Sequence, residues 1–308
     1  MFKSDSITVL IPAKNAGKTL DIAIEDISKQ KSVDIKIIIA NDNSSDDTLH
    51  IIKEYQRYIE NIRVIEVPTP GGIVAGRNLL LKAVDTEYLA WLDADDGWNN
   101  QKKLYHQINF LKKNNNYALV GDGKINGILL ENFKSKKYYF PLKNEDIQAR
   151  LIFKNAFIMS SIVARTNMVQ NTVFNPAYEY LEDYLWIREI AYNHPVANIM
   201  IGGTVHFIST KQQQQEKDDK YLVYAKEIEL LKEGLEKYKV LLSEAEYCLL
   251  ANLVRRNKKI DKITYQNLNK LIKRLIKDLT AQNINNEALK GFFFTVKLRM
   301  LRCRYLYF

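Results

Sequence analysis

The sequence predicts an α/β protein in which a doubly wound, mainly parallel sheet is followed by a helical C-terminal region. Strand-like and helix-like patterns alternate four times in the first 113 residues, which is typical of a parallel sheet covered by helices on both faces. The chain has 308 residues, of which 46% are apolar, so it is long enough to bury an extensive core. Beyond residue 216, apolar residues recur at helical spacing.

The four repeats follow from their residue patterns. Strands are predicted at residues 7–11, 35–40, 63–67 and 88–92, and helices at 20–30, 46–58, 73–84 and 101–113. Pro12 ends the first strand, since proline cannot donate to a sheet ladder. Ser44, Ser45 and Asp46 are typical residues for the start of the second helix. In sheets of this kind, ligands bind outside the carboxyl ends of the strands.

The rest of the chain divides into a mixed region and a helical one. Strands are predicted at 118–120, 125–130 and 158–164, and helices near 145–153 and at 180–192. The polar run at 211–216 predicts a loop or linker. A later helix carries one apolar stripe, formed by Leu268, Leu271, Ile272, Leu275, Ile276 and Leu279. We therefore divide the chain into residues 1–120, 121–212 and 213–308.

The net charge of +9 is unevenly placed along the chain. Residues 251–308 contain 14 lysines and arginines but only three acidic residues, which gives +11 and leaves −2 for residues 1–250. This asymmetry has two interpretations. The region is either a solvated, lysine-rich helical face or a surface that meets an anionic partner, such as phospholipid headgroups or nucleic acid.

Several classes of protein are disfavoured by composition. Cys248 and Cys303 are the two cysteines, 55 positions apart, so we expect neither a disulfide framework nor a cysteine metal site. No apolar stretch is long enough to predict a transmembrane helix, and the first residues do not resemble a signal peptide. We therefore expect a cytoplasmic protein.

Acidic residues follow two of the predicted strands. Asp42 comes after the second strand, whereas Asp93, Asp95 and Asp96 come after the fourth. Carboxylates gathered at one sheet edge repel one another unless a cation or hydrogen-bond donors neutralise them, which favours Mg²⁺ or Mn²⁺. Turn and cap roles are the alternative, which stays open for residues 41–47.

The same segments resemble those of the family 2 inverting glycosyltransferases, which have the GT-A fold. The resemblance covers about residues 6–210 and is carried by five motifs in the family's order. These are residues 7–15 (ITVLIPAKN), 39–48 (IANDNSSDDT), 76–78 (GRN), 93–95 (DAD, similar to the DxD motif) and 182–183 (ED).

The resemblance implies a role for each motif. The donor nucleotide would contact Pro12, Ala13, Asn15, Asp42, Arg77 and Asp93. A Mn²⁺ or Mg²⁺ ion would be held by Asp95 and Asp93, with His206 as a further ligand; a core position is the alternative for His206. Asp183 would be the catalytic base, and Glu182 and Trp186 would bind the acceptor, with helix capping as the alternative for Glu182.

The activity implied is metal-dependent, inverting transfer from a nucleotide sugar, UDP-linked by expectation, to a saccharide or lipid-linked glycan. Relatives of this kind build bacterial surface polysaccharides such as lipopolysaccharide or capsule. Residues 1–120 would then bind the nucleotide sugar, and 121–212 would bind the acceptor and carry the base. The basic helices of 213–308 would hold the enzyme at the anionic inner face of the cytoplasmic membrane or form a homo-oligomer interface.

Two other classes of function are weighed. A sugar-nucleotide nucleotidyltransferase also uses paired aspartates and a metal, but residues 14–18 (KNAGK) are a poor version of the phosphate-binding loop it needs. A basic nucleic-acid-binding protein would explain the C-terminal charge. We expect no nucleic-acid partner, because the acidic crevice and the lack of a zinc or helix-turn-helix pattern count against it.

Overall fold

A computed structural model describes residues 6–69, 71–129, 134–208, 220–255 and 262–305, and the predicted linker at 211–216 lies outside them. The chain forms two compact units. The first comprises residues 1–142 and 157–217, and the second comprises 143–156 and 218–308. Residues 143–156, which we assigned to the middle region, thus group with the C-terminal helices.

The first unit is built on a seven-stranded sheet. Its strands, numbered in chain order, are β1 Ser6–Ala13, β2 Asp34–Asn41, β3 Ile62–Glu66, β4 Tyr88–Trp91, β6 Leu119–Asp122, β9 Val163–Arg165 and β10 Val196–Ile199. They lie in the order β10-β6-β9-β4-β1-β2-β3. All neighbours are parallel except β9, which is antiparallel to both β4 and β6. The predicted fold class is therefore confirmed.

Helices cover this sheet. They are α1 Leu20–Ser28, α2 Thr48–Gln56, α3 Ile73–Ala83, α4 Lys103–Lys113, α6 Thr166–Val169 and α7 Glu182–Asn193. The apolar side chains of β1 are fully buried on both faces of the strand: Ile7, Val9, Leu10 and Ile11. This burial explains why the strand has a continuous apolar pattern instead of an alternating one.

One predicted strand is shorter in the structure. The segment expected at 158–164 contains a short 3₁₀ helix, Met159–Ser161, and its paired strand begins only at Val163. The turn buries the side chains of Ser160 and Ser161 beside the end of β4.

A second, four-stranded sheet lies in the same unit. Its strands are β5 Asp96–Trp98, β7 Lys124–Leu129, β8 Ser135–Tyr139 and β11 Thr204–Ile208, in the order β5-β11-β7-β8. The antiparallel register of β5 and β11 places Asp96 opposite His206. Because β5 begins five residues after β4 ends, a single turn carries the chain between the two sheets.

The second unit is helical. It contains α5 Asn144–Leu151, α8 Lys220–Glu236, α9 Glu244–Arg255, α10 Lys262–Ala281 and α11 Asn286–Tyr305. The predicted apolar stripe of α10 lies in its core together with Phe293 of α11. Within the described residues, no helix combines the length and the apolar character needed to cross a membrane.

Candidate active site

Apart from Arg77, which is on α3, the predicted donor-site residues lie at or just after the carboxyl ends of three adjacent parallel strands. β1 ends at Ala13, β2 ends just before Asp42, and β4 ends two residues before Asp93. The order β4-β1-β2 within the sheet makes these three strands neighbours. The topology therefore places the motifs at one edge, where open α/β sheets bind ligands.

Asp42 is held in place by three donors. Its Oδ2 accepts hydrogen bonds from Lys14 Nζ at 2.9 Å and from the backbone N–H of Gly72 at 3.0 Å. Asn43 Nδ2 lies 3.3 Å from the other carboxylate oxygen. Burial alone would raise the pKa of Asp42, but these bonds outweigh it and hold the pKa below its usual value. Asp42 is therefore an ionised hydrogen-bond acceptor at this edge.

Asn15, Ala13 and Pro12, which were also predicted to contact the nucleotide, mainly shape the loop and the strand end. Asn15 has a positive φ of 50° and joins the loops after β1 and β2, because its Oδ1 accepts from the backbone N–H of Ser45 at 2.9 Å. The Ala13 side chain is buried, and Pro12 lies inside β1, paired with Ala40. A nucleotide would therefore meet mainly the backbone at Ala13.

A buried arginine links two of the acidic motifs. Arg77 of α3 donates from NH1 to Glu182 Oε1 at 2.6 Å and from NH2 to Asp93 Oδ1 at 2.9 Å. The Arg77 side chain is only 5% exposed. The structure thus brings the GRN, DAD and ED motifs together around one guanidinium group.

An aromatic cluster supports this arginine. The guanidinium carbon of Arg77 lies 5.6 Å from the ring centroid of Phe174, which stacks on Trp186 at 5.1 Å. Trp91 meets both rings edge-on. Trp186 is 1% exposed, so in this structure its ring is not available for the acceptor contact that we expected. The ring packs beneath the site because α7 turns it towards the sheet.

Asp183 is the second residue of α7 and is partly exposed. Its Oδ1 accepts from the backbone N–H of Tyr184 at 2.6 Å. Burial raises the pKa of Asp183, and the positive charge of Arg77 only partly opposes this effect. A carboxylate with a raised pKa is a stronger proton acceptor, which suits a general base.

A second polar chain runs from the DAD turn to β11. His206 Nδ1 lies 2.8 Å from Asp96 Oδ1, and Ser160 Oγ donates to Asp96 Oδ2 at 2.5 Å. Ser160 Oγ also accepts from the backbone N–H of Asp93 at 3.1 Å. Burial alone would lower the pKa of His206, but its bond to Asp96 outweighs this and raises the pKa to about 9. The His206 side chain is 36% exposed and is bound to a buried carboxylate, and its role as a metal ligand stays a prediction.

The sequence analysis missed Ser160 as part of this chain. The hydroxyl supports both Asp93 and Asp96, yet it lies in a segment that we predicted as a strand. Ser160 and Ser161 as neighbours within an apolar run are the only local signal that could have indicated a turn there.

The expected metal ligands are not gathered into a ready-made cluster. Among the described residues, no three His, Cys, Asp or Glu side chains are grouped closely enough to hold a metal ion. Asp93 is paired with Arg77, and His206 is paired through Nδ1 with Asp96. The two carboxylates nevertheless suit Mn²⁺ or Mg²⁺, and an imidazole oriented by a third carboxylate would favour the transition metal Mn²⁺ of the two.

Comparison with known proteins gives the family. The model of the family described as "Glycosyl transferase family 2" matches residues 8–167, which is more than half of the chain. A glucosyltransferase of Escherichia coli, WfgD, is 27% identical over 198 residues, covering 61% of this chain and 71% of its own. WfgD is named as a UDP-Glc:alpha-D-GlcNAc-diphosphoundecaprenol beta-1,3-glucosyltransferase.

Other relatives are similar over shorter shares of their length. An uncharacterized glycosyltransferase of Haemophilus influenzae is 27% identical over 198 residues, which is 60% of each chain. TuaG of Bacillus subtilis, a putative teichuronic acid biosynthesis glycosyltransferase, is 30% identical over 105 residues, 34% of this chain and 41% of its own.

Solved structures show the same fold. Staphylococcus aureus TarS residues 1–349, solved in complex with UDP-GlcNAc, matches with a TM-score of 0.60 and 16% identity over 96% of this chain and 88% of that chain. The mannosyltransferase PcManGT of Pyrobaculum calidifontis, solved with GDP-Man and Mn²⁺, matches with a TM-score of 0.56 and 13% identity, covering 96% of this chain and 86% of that chain.

Proposed function

The chain belongs to glycosyl transferase family 2, and from this premise we propose that it transfers a sugar from a nucleotide sugar to a glycan acceptor with inversion at the anomeric carbon. The observation that carries the proposal is the convergence of Arg77, Asp93 and Glu182 beside Asp183. Arg77 binds Asp93 of the donor motif and Glu182, and its positive charge also acts on the neighbouring Asp183 carboxylate.

Asp183 is the proposed general base. Inversion requires a base on the opposite face of the sugar from the leaving group, where it removes the proton of the attacking hydroxyl. The raised pKa of Asp183 supports this role, because the carboxylate then has a stronger affinity for that proton. The product would be β-linked if the donor is an α-linked UDP-sugar.

Asp93, Asp95 and His206 are the proposed ligands of Mn²⁺ or Mg²⁺. Asp96 holds His206 at Nδ1, which leaves Nε2 as the ring nitrogen that a metal would bind, and the metal would have to displace the proton that the raised pKa of His206 keeps there. When bound, the ion would neutralise the negative charge that develops on the leaving diphosphate. Asp93 would also contact the ribose, and Ser160 keeps its backbone N–H in place.

The nucleotide is proposed to be uridine diphosphate. Asp42 can accept from the N3–H of uracil, and the ammonium of Lys14 beside it can donate to a neighbouring carbonyl. Two similar proteins support this choice: WfgD is named for the donor UDP-Glc, and TarS was solved in complex with UDP-GlcNAc. Pro12, Ala13 and Asn15 would shape the same pocket through their backbone and loop bonds.

The acceptor is proposed to be a saccharide or a lipid-linked glycan used in bacterial surface-polysaccharide synthesis, such as lipopolysaccharide or capsule. The names of the E. coli and B. subtilis relatives support this class of pathway. Glu182 would contact acceptor hydroxyls beside the base. A nucleotidyltransferase is no longer favoured, since the family match covers the segment in which its phosphate loop would lie.

We further propose that the enzyme works at the inner face of the cytoplasmic membrane. On α10, Lys270, Lys273, Arg274 and Lys277 are exposed, and each cation near an anionic surface contributes on the order of 1 kcal/mol. The apolar contribution would come from Phe294 and Leu298, which are 64% and 41% exposed, because Phe293 and Val296 are buried in the core of their unit.

Co-sedimentation with vesicles containing anionic lipid tests the membrane proposal. Phe294→Ser should release protein from the vesicles, whereas Val173→Ser, which changes an equally exposed apolar residue (64%) in the first unit, should not. High salt should release the wild type as well. If the wild type and Phe294→Ser are recovered equally in the supernatant at low and at high salt, the proposal is contradicted. This surface would then be a candidate homo-oligomer interface, which light scattering tests.

A donor screen tests the activity itself. Purified protein, Mn²⁺ and a panel of UDP-, GDP- and CDP-sugars are combined, and release of the free nucleotide is measured with saccharide and lipid-linked acceptors. We expect acceptor-dependent UDP release. If no donor is consumed with any acceptor, the proposed function fails.

A further inference from the structure

Arg77 lies between the donor motif and the helix that carries the base. Its guanidinium donates to Asp93, which follows β4, and to Glu182, which begins α7 next to Asp183. We propose that Arg77 is a positioning residue that fixes the start of α7 against the Asp93 turn, and so sets the place of the Asp183 carboxylate, instead of contacting the nucleotide base. The inference rests on the proposed function, because it assigns Asp183 a reaction to serve.

The geometry requires an arginine. A guanidinium presents several N–H donors in a fixed plane, so it can bind two carboxylates at once, whereas a lysine ammonium is a point charge on a flexible stem. Here the two terminal nitrogens of Arg77 each bind a different carboxylate. The ring of Phe174, 5.6 Å from the guanidinium carbon, covers the group and limits its movement.

Glu182 depends strongly on this bond. Its Oε2 is buried and has no hydrogen-bond partner among the described residues, so the contact between Oε1 and Arg77 is what compensates its burial. Without Arg77, Glu182 and Asp93 would be left as neighbouring unpaired carboxylates at a largely enclosed site. Such charges repel, and the first turn of α7 would have to move to separate them.

The charges that face Asp183 give the proposal a specific signature. They are the positive Arg77 from α3 and the negative Asp93 and Glu182 from the β4 turn and α7. Arg77 has the largest of the effects that lower the pKa of Asp183 against burial, ahead of the hydrogen bond from the Tyr184 N–H. Removing that charge should therefore move the acid limb of the kcat–pH profile upward by about one pH unit or more.

The test compares Arg77→Gln and Arg77→Lys with Asp42→Asn as the control for nucleotide binding. UMP affinity is measured by calorimetry, and kcat is measured across pH. Both Arg77 variants should bind UMP within about threefold of wild type, whereas Asp42→Asn should weaken binding about tenfold or more. Both variants should have a lower kcat. In Arg77→Gln the acid limb of the kcat–pH profile should also move to higher pH, whereas in Arg77→Lys, which keeps the positive charge, it should stay close to that of the wild type.

Several outcomes would overturn the inference. A tenfold or greater loss of UMP affinity in either folded Arg77 variant would indicate contact with the base. Unchanged kcat in Arg77→Lys would show that the double bridge is not needed. A loss of turnover in Arg77→Gln without a pH shift would also contradict it; if this variant does not fold, Arg77→Lys decides alone.

The inference can fail separately from the proposed function. If the wild-type protein transfers no sugar from any donor, the proposed function is wrong. The pKa of Asp183 can then be followed by NMR of carbon-13-labelled carboxyl groups in the wild type and in Arg77→Gln. An upward shift in the variant supports the placement of Asp183 by Arg77, and an unchanged pKa overturns it.

Discussion

Lys103 offers a direct test of how the polar network behind the active site is built. Its side chain is fully buried, and Nζ donates to Gln107 Oε1 at 2.8 Å and to the Ser161 carbonyl at 3.2 Å. The ammonium also lies 4.3 Å from the ring centroid of Trp98. Burial lowers the pKa of Lys103 to about 7, and the more distant charge of Asp122 only partly opposes this effect.

The size and sign of the effect on stability follow from this pKa. Lysine in the unfolded chain has a pKa of 10.5, so the folded state binds fewer protons than the unfolded state between pH 7 and 10.5. Below pH 7 the full cost of the buried charge is present, on the order of 5 kcal/mol. As the pH rises from 7, the contribution of Lys103 to the free energy of unfolding should rise by up to about 1.4 kcal/mol per pH unit.

Lys103→Met removes this slope. Gln107 Oε1 then loses its donor, which costs about 1–3 kcal/mol. The Ser161 carbonyl keeps the bond from Gln107 Nε2 at 2.7 Å. At pH 7 the variant should therefore be at least as stable as the wild type, with an advantage that shrinks as the pH rises.

Urea unfolding followed by tryptophan fluorescence at pH 7, 8 and 9 measures the difference. Lys113→Met, which changes an exposed lysine of the same helix, is the matched control and should show no such trend. A constant difference between Lys103→Met and wild type across this range would refute the reasoning.

Three further changes have defined outcomes. Asp95→Asn should abolish Mn²⁺-dependent turnover while leaving the unfolding midpoint unchanged; near wild-type activity would contradict the metal assignment. Gly71→Ala should weaken UMP binding about tenfold in calorimetry, because a Cβ there would lie 1.9 Å from Asp42 Oδ1 and displace the carboxylate. An unchanged Kd would contradict the role of Asp42 in nucleotide binding. Gly291→Ala in α11 should stabilise the protein by about 0.5–1 kcal/mol in urea unfolding, because the added Cβ meets nothing within 4 Å; a lower midpoint would argue against this helix.

Much of the fold was predictable because its signals are local. The apolar run of β1 and the helical spacing of Leu20, Ile24 and Ile27 in α1 can each be read within a short window, and the structure buries all of them. The apolar stripe of α10 was predictable for the same reason. The grouping of residues 143–156 with the C-terminal helices was not, because it depends on contacts across more than 60 residues of intervening chain.

The site was predictable in its positions but not in its bonds. The motifs at Asp93 and Glu182 were identified from residue patterns, whereas the bridge that joins them through Arg77 spans 105 positions to Glu182. Ser160 escaped notice because an apolar run also suits a strand, and its bond to Asp96 joins residues 64 positions apart. Nothing in the sequence around Trp186 distinguishes a ring buried beneath the site, as in the structure, from one that faces an acceptor.

The central claim is inverting sugar transfer with Asp183 as the base, and the product of a single reaction tests it most directly. Once the screen identifies a donor, the anomeric configuration of the product is determined by proton NMR for the wild type, and the rate is compared with Asp183→Asn. The account predicts a β-linked product from an α-linked donor and a rate lower by about 10²–10⁴ in the variant, with UMP binding unchanged. An α-linked product, or an Asp183→Asn rate close to that of the wild type, would contradict it.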